Sequence, residues 1–165
     1  MLRVEGRVRD LALFNLAIDS KLLGCDVTSL KVDDIAPSGY TADRATVRQK
    51  KTGRPVKFEL TEATREAVDD YLKATGKRSG DYLFTGRRGS SSSLTTRQYA
   101  RLLAKWIASV GLVPRCFGTH SLRRTKATLI YRRTGNLRAE KIESTVRYLG
   151  IEVDDALAIA EQVDV

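Results

Sequence analysis

The chain has 165 residues, 29 of them Lys or Arg and 20 Asp or Glu, for a formal charge of +9 at pH 7. That length suits a single domain over residues 1–165 with a core of its own. The basic excess points to an acidic partner, nucleic acid first, against the plainer reading of a protein kept soluble by its charge. Cys25 and Cys116 form neither a metal spacing nor a disulfide framework, no apolar run reaches a membrane span, and Met1 to Arg7 has no signal-peptide core, so a protein of the reducing cytoplasm is expected, with both cysteines buried as small apolar residues.

The first helix is predicted to begin near Asp10, where Leu11, Phe14, Leu16, Ala17 and Ile18 supply the apolar positions. Gly24 separates it from a short helix through Leu30 that Asp26 caps. After a turn through Pro37-Ser38-Gly39, residues 45–49 and 55–60 read as two strands joined at Thr52-Gly53. Ala63, Ala67, Val68, Tyr71 and Leu72 then recur at helical spacing from the cap Thr61 to about Thr75, and this helix is expected to pack on the hairpin.

Tyr82-Leu83-Phe84 reads as a short extended segment, and the Gly/Ser/Arg-rich run 86–93 as a mobile loop. Thr95 or Thr96 caps a helix through Val110, whose apolar stripe places Trp106 in the core rather than at a ligand. Gly111 and Pro114 end it, and Ser121 caps the next helix, to about Arg133. Beyond the turn at 134–136 a weak helix over 137–146 and a final acidic helix around Val153 to Ala160 are expected. The fold class is mainly α with a small antiparallel hairpin, that is, α+β.

The chemistry concentrates at His120 and Arg123. A His-x-x-Arg pair stands one turn apart on one helix face, where imidazole and guanidinium can both donate to the oxygens of one phosphate. Taken singly, His120 is equally a capping histidine and Arg123 a surface arginine on a carboxylate. The cluster Lys50, Lys51, Arg54 and Lys57 is equally a solvated basic edge that discourages strand pairing, and Tyr148 equally a packed tyrosine.

The stations Arg9-Asp10-Leu11-Ala12-Leu13-Phe14, Lys51-Thr52-Gly53-Arg54-Pro55-Val56 and Thr119-His120-Ser121-Leu122-Arg123-Arg124-Thr125-Lys126-Ala127-Thr128, followed by Tyr148, resemble in this order the catalytic domain of the tyrosine recombinases, the phage integrase family. The resemblance covers nearly the whole chain. It implies that fold, double-stranded DNA as partner, no cofactor and no metal. It also implies homo-oligomers formed on DNA through the C-terminal segment, and recombination or integration in a mobile element by a 3'-phosphotyrosyl intermediate.

By the same resemblance Tyr148 is the nucleophile and Arg123 holds a non-bridging oxygen. His120 assists proton transfer, and Lys51, with Lys50 as its rival, protonates the leaving oxygen. Lys50, Arg54, Arg124 and Lys126 are the expected backbone contacts, and Leu122 faces the core between the two polar residues of the box. The physical logic is that fixed cations aimed at the equatorial oxygens stabilise a pentavalent transition state more than the ground state.

Two stations depart from the family pattern. With Asp26 at the acidic position of the family's Gly-Leu-Arg-x-x-Glu-Leu segment, Leu23 falls where arginine belongs. Lys21, two residues away, is on another face. The Leu-Gly-His motif that precedes the family tyrosine has no counterpart, as though roughly seven residues, about two helical turns, were removed near Ala139. Each lost donor costs about 10²- to 10³-fold in rate, so strand cleavage is expected to be impaired. No DNA-clamping N-terminal domain is expected, since only about nine residues precede the first helix. A non-catalytic DNA-binding derivative is the alternative, and a basic interaction module whose acidic C-terminal helix docks on a neighbour is a third reading.

Overall fold

A computed structural model describes residues 7–86 and 92–134, the side chains of 127–134 excepted. The chain divides into two compact units, Met1–Arg123 and Arg124–Val165. In order along the first lie α1 (Val8–Ser20), α2 (Gly24–Thr28), α3 (Val32–Ile35), β1 (Arg44–Arg48), β2 (Pro55–Glu59), α4 (Glu62–Thr75) and α5 (Thr96–Ser109), followed by α6 (Thr119–Thr134). The helix-rich composition with one two-stranded antiparallel sheet is the expected class. The helices expected beyond residue 136 fall outside the described residues.

The core forms where the apolar stripes of α1, α4 and α5 converge. Leu13 and Leu16 of α1, Val68 and Tyr71 of α4, and Tyr99 and Leu103 of α5 are all buried in one cluster. Trp106 lies there too, edge-on to Phe14 at 5.7 Å between ring centroids, its indole N–H donating to Asp10 Oδ2 at 3.1 Å. An aromatic that large is stable inside only when its polar atom is paired, and the Asp10 carboxylate supplies the acceptor.

α4 packs chiefly on α1, not on the hairpin as its sequence position suggested. The reason is a buried carboxylate. Asp19 Oδ2 accepts the Thr61 N–H at 2.8 Å, the Thr61 hydroxyl at 2.8 Å and the Thr64 hydroxyl at 2.6 Å, which ties the end of α1 to the start of α4. Thr61 therefore occupies the cap position without capping its own helix. The hairpin leans instead on α1 through β2 and on α3 through β1. Its register pairs Ala45 with Phe58 and Val47 with Val56, leaving Arg44, Thr46, Arg48, Lys57 and Glu59 on the solvent face.

Several boundaries shift for local reasons. α1 begins at Val8, two residues before Asp10, and is closed after Ser20 by Lys21, whose φ of 53° puts a non-glycine residue in the left-handed region. Gly24 is consequently the first residue of α2 rather than a separator. It is needed for closeness: a Cβ there would meet the Thr119 hydroxyl at 3.3 Å. Asp26 sits inside α2, with Leu23 in the cap position, and its carboxylate is used elsewhere. Thr95 caps α5 in a reciprocal box with Gln98, and Gly111, at φ +82°, closes the turn that follows.

Ser121 lies in the first turn of α6, its hydroxyl accepting the Gly118 N–H at 3.1 Å, so this helix starts at Thr119, earlier than a cap at Ser121 would allow. Cys116 is exposed, not buried, because it falls in the 3-10 turn Pro114–Cys116, none of whose residues is buried; Cys25 is half-buried. The extended segment 82–84 is held by Leu83 N–H to Leu30 and Leu94 N–H to Phe84. The centre of the loop after it, 87–91, lies outside the described residues.

Candidate functional site

Three segments distant in sequence meet around α2. The β1–β2 turn is tightly built: Gln49 N–H donates to Arg54 O at 2.9 Å and Gly53 N–H to Gln49 O at 2.8 Å. The Thr52 hydroxyl donates to Gln49 Oε1 at 2.8 Å and Arg48 Nη1 to Gly53 O at 3.1 Å. Gly53, at φ +66°, provides the left-handed step that closes it. The outcome is a rigid platform on which Lys50, Lys51 and Arg54 are exposed, their side chains without a partner among the described residues.

The second segment is the start of α6. Leu122 is 7% exposed and anchors the helix in the core, as expected, which sets His120 exposed and Arg123 half-buried, three residues apart. Burial holds the Arg123 guanidinium below its ordinary pKa, and the Asp26 carboxylate offsets only part of that. Arg124 is exposed and Lys126 half-buried.

The third segment is α2 itself. Asp26 is 1% exposed, and its Oδ1 accepts the Lys50 backbone N–H at 2.9 Å. The Cys25 thiol lies 3.8 Å from the same oxygen. Oδ2 accepts no hydrogen bond among the described residues. One buried carboxylate thus touches the lysine-bearing turn and acts electrostatically on the arginine of the His-x-x-Arg pair, with Gly24 of the same helix packed against Thr119, the neighbour of His120. Leu23, half-buried at the cap of α2, contributes only its carbonyl, to the Asp26 and Val27 N–H groups.

The structure therefore brings the Lys50 backbone and Thr119 to α2, whose Asp26 also acts on Arg123; Lys51 and His120 are the sequence neighbours of the first two, and Arg54 is exposed on the same turn. Tyr148 and Ala139 lie outside the described residues. Sequence reasoning used Asp26 as a helix cap and a register mark and missed its role as the common contact; the signal available was an acid set among apolar residues in so short a helix. It also missed Arg97, Arg101 and Lys105, exposed at four-residue spacing along α5, a helix with no acidic residue, because only the apolar stripe of that segment was read. No group of three or more potential metal ligands occurs among the described residues.

Comparison with known proteins gives this geometry a context. The profile of the phage integrase family matches residues 3–146. The probable integrase/recombinase YoeC of Bacillus subtilis (strain 168) is 29% identical over 157 residues, covering 91% of this chain and 82% of that protein. Tyrosine recombinase XerC of Caldanaerobacter subterraneus subsp. tengcongensis is 32% identical over 127 residues, 75% of this chain but 34% of that protein, so the chain spans about a third of that relative's length. The crystal structure of XerA recombinase superposes with a TM-score of 0.72 at 19% identity, covering 98% of this chain and 59% of XerA. XerH recombinase in a pre-cleavage complex with its difH substrate gives 0.64 at 20% identity, covering 93% of this chain and 46% of XerH.

Proposed function

This chain belongs to the phage integrase family of tyrosine recombinases, and we propose that it binds double-stranded DNA through the β1–β2 turn, α5 and the start of α6, with strand cleavage by Tyr148 impaired. The observation that carries the reading is the meeting of the lysine-bearing turn and the His-x-x-Arg helix at α2, the first through the Lys50 N–H on Asp26 and the second through Thr119 against Gly24. Supporting it are the exposed cations Lys50, Lys51, Arg54 and Lys57, whose side chains have no partner among the described residues, and the row Arg97, Arg101 and Lys105 on α5. Four helical residues rise about 6 Å, a spacing at which successive cations can follow a phosphate chain.

In this reading the Tyr148 oxygen attacks the scissile phosphorus, the P–O bond to the 5' oxygen breaks, and Lys51 gives that oxygen its proton, leaving a 3'-phosphotyrosyl link and a free 5'-hydroxyl. A tyrosine is protonated at neutral pH, with a reference value of about 10, so it needs a cationic field and a proton acceptor; Arg123 and His120 are assigned these parts. Lys50, Arg54, Arg124 and Lys126 are assigned to backbone phosphates. Assembly on DNA through the C-terminal segment belongs to the same proposal. The second reading, a DNA-binding derivative that does not cut, is favoured by one observation: the cap position of α2 holds Leu23, which has no side-chain donor.

The test is a duplex titration at two salt concentrations. Affinity should fall steeply with salt, and the paired substitution Lys50→Ala/Arg54→Ala should reduce the log-log slope by about two. A slope unchanged by that pair, or no duplex affinity at all, contradicts the proposal and leaves the protein-interaction reading.

A further inference from the structure

The exposed large apolar side chains among the described residues are not scattered. Of six, four fall within the eight residues between α5 and α6: Val110, Leu112, Val113 and Phe117, 41 to 58% exposed. Single exposed hydrophobics are ordinary, but a group of them marks a contact surface. The backbone holds this group out rigidly. Gly111 N–H donates to Ala108 O at 3.0 Å, and Leu112 N–H to Ile107 O, Cys116 N–H to Val113 O and Phe117 N–H to Pro114 O, each at 3.1 Å. Gly118 N–H, next in the chain, donates to the Ser121 hydroxyl, so Phe117 is fixed three residues before His120.

Charge decides what covers this turn. Between Asp81 and Glu140 the sequence holds twelve Lys or Arg and no Asp or Glu, and Arg115 of the turn itself is exposed, so a neutral apolar partner would leave that charge uncompensated. Duplex DNA answers both features, with phosphates outside and stacked bases within. We propose that the turn 110–117 is an apolar wedge for bound DNA: Phe117 enters the base stack and Arg115 holds a flanking phosphate, next to the phosphate assigned to His120 and Arg123. Phe and Leu side chains pushed between base steps unstack and kink a duplex, a cost offset by the extra surface the bent DNA wraps. An unstacked step beside the cleaved phosphate also loosens the 5'-hydroxyl strand that recombination has to move. The inference rests on the DNA reading above and adds base contact to a surface so far assigned only to phosphates.

The test uses the full chain and an alternating A·T duplex in which 2-aminopurine replaces about one adenine in five, because its emission rises on unstacking and T-A steps are the easiest to open. At saturation, followed by anisotropy, the unmodified chain should raise the emission about twofold or more, and Phe117→Leu should keep most of that rise. Phe117→Ala should bring the emission within about 20% of the free duplex and weaken binding by about fivefold or more. Should that variant fail to fold, Leu112→Ser/Val113→Ser reads the same turn and should at least halve the rise. Binding without a rise in the unmodified chain, or a rise undiminished in Phe117→Ala, overturns the wedge and leaves the DNA reading standing. No anisotropy change defeats the DNA reading and the wedge with it. Self-association in sedimentation that Phe117→Ser abolishes assigns the turn to a protein contact and likewise overturns the proposal.

Discussion

At position 23 an isobutyl group caps α2, where its main chain serves the helix and its side chain has nothing to offer a phosphate oxygen. Leu23→Arg should therefore tighten duplex binding by about five- to tenfold at low salt, as one added guanidinium contact would, and fluorescence anisotropy measures it. An unchanged affinity means the side chain at 23 does not reach the DNA. Asp19 makes a second residue-scale prediction. Three donors converge on its Oδ2, and Asp19→Ala leaves the buried Thr64 hydroxyl without that acceptor while exposed Thr61 can turn to water, so urea denaturation should show a loss of about 1 to 3 kcal/mol. These residues differ in legibility. The substitution at Leu23 could be read from the sequence because the motif around it is local, whereas the tie of Asp19 to Thr61 crosses 42 residues and leaves no periodic trace. The same holds for Asp26 and Lys50: each partner is visible, their meeting is not.

Among the elements, hydrophobic periodicity located α1, α4 and α5 and alternation located both strands, since each buries one face of regular spacing. Partners were harder. The expectation that α4 lies on the hairpin failed because a carboxylate outside the helix, not its apolar stripe alone, sets its direction. Caps were legible where the box is self-contained, as at Thr95 and Gln98, and Thr95→Ala should cost about 1 kcal/mol in thermal or urea unfolding. At α3 the Asp33 carboxylate accepts the Ser79 hydroxyl at 2.6 Å and the Gly80 N–H at 2.7 Å, and these bonds hold its pKa below the ordinary 3.8. A depressed folded value means that the clip contributes fully above about pH 4 and is lost as pH falls through the lowered value. Stability followed from pH 5 downward should decline less steeply in Asp33→Asn than in the unmodified chain; parallel curves contradict the assignment.

For the whole molecule, the +9 charge is unevenly useful. Part of it is paired, as Arg44 is with Glu59 at 2.9 Å, and contributes little to stability or to binding at such exposure. The cations without a partner among the described residues include those of the β1–β2 turn and α5, the ones assigned above to DNA. Family membership accounts for the arrangement, while Leu23 and the missing Leu-Gly-His station account for the expected loss of cleavage. The most direct test of that central claim is covalent capture: the chain at saturating concentration on a nicked suicide duplex, with Tyr148→Phe as control. The account predicts bound duplex with little or no denaturant-resistant adduct, and none with Tyr148→Phe. Rapid, near-complete adduct formation that vanishes in Tyr148→Phe would contradict the impairment, and an adduct that persists in Tyr148→Phe would remove Tyr148 from the chemistry.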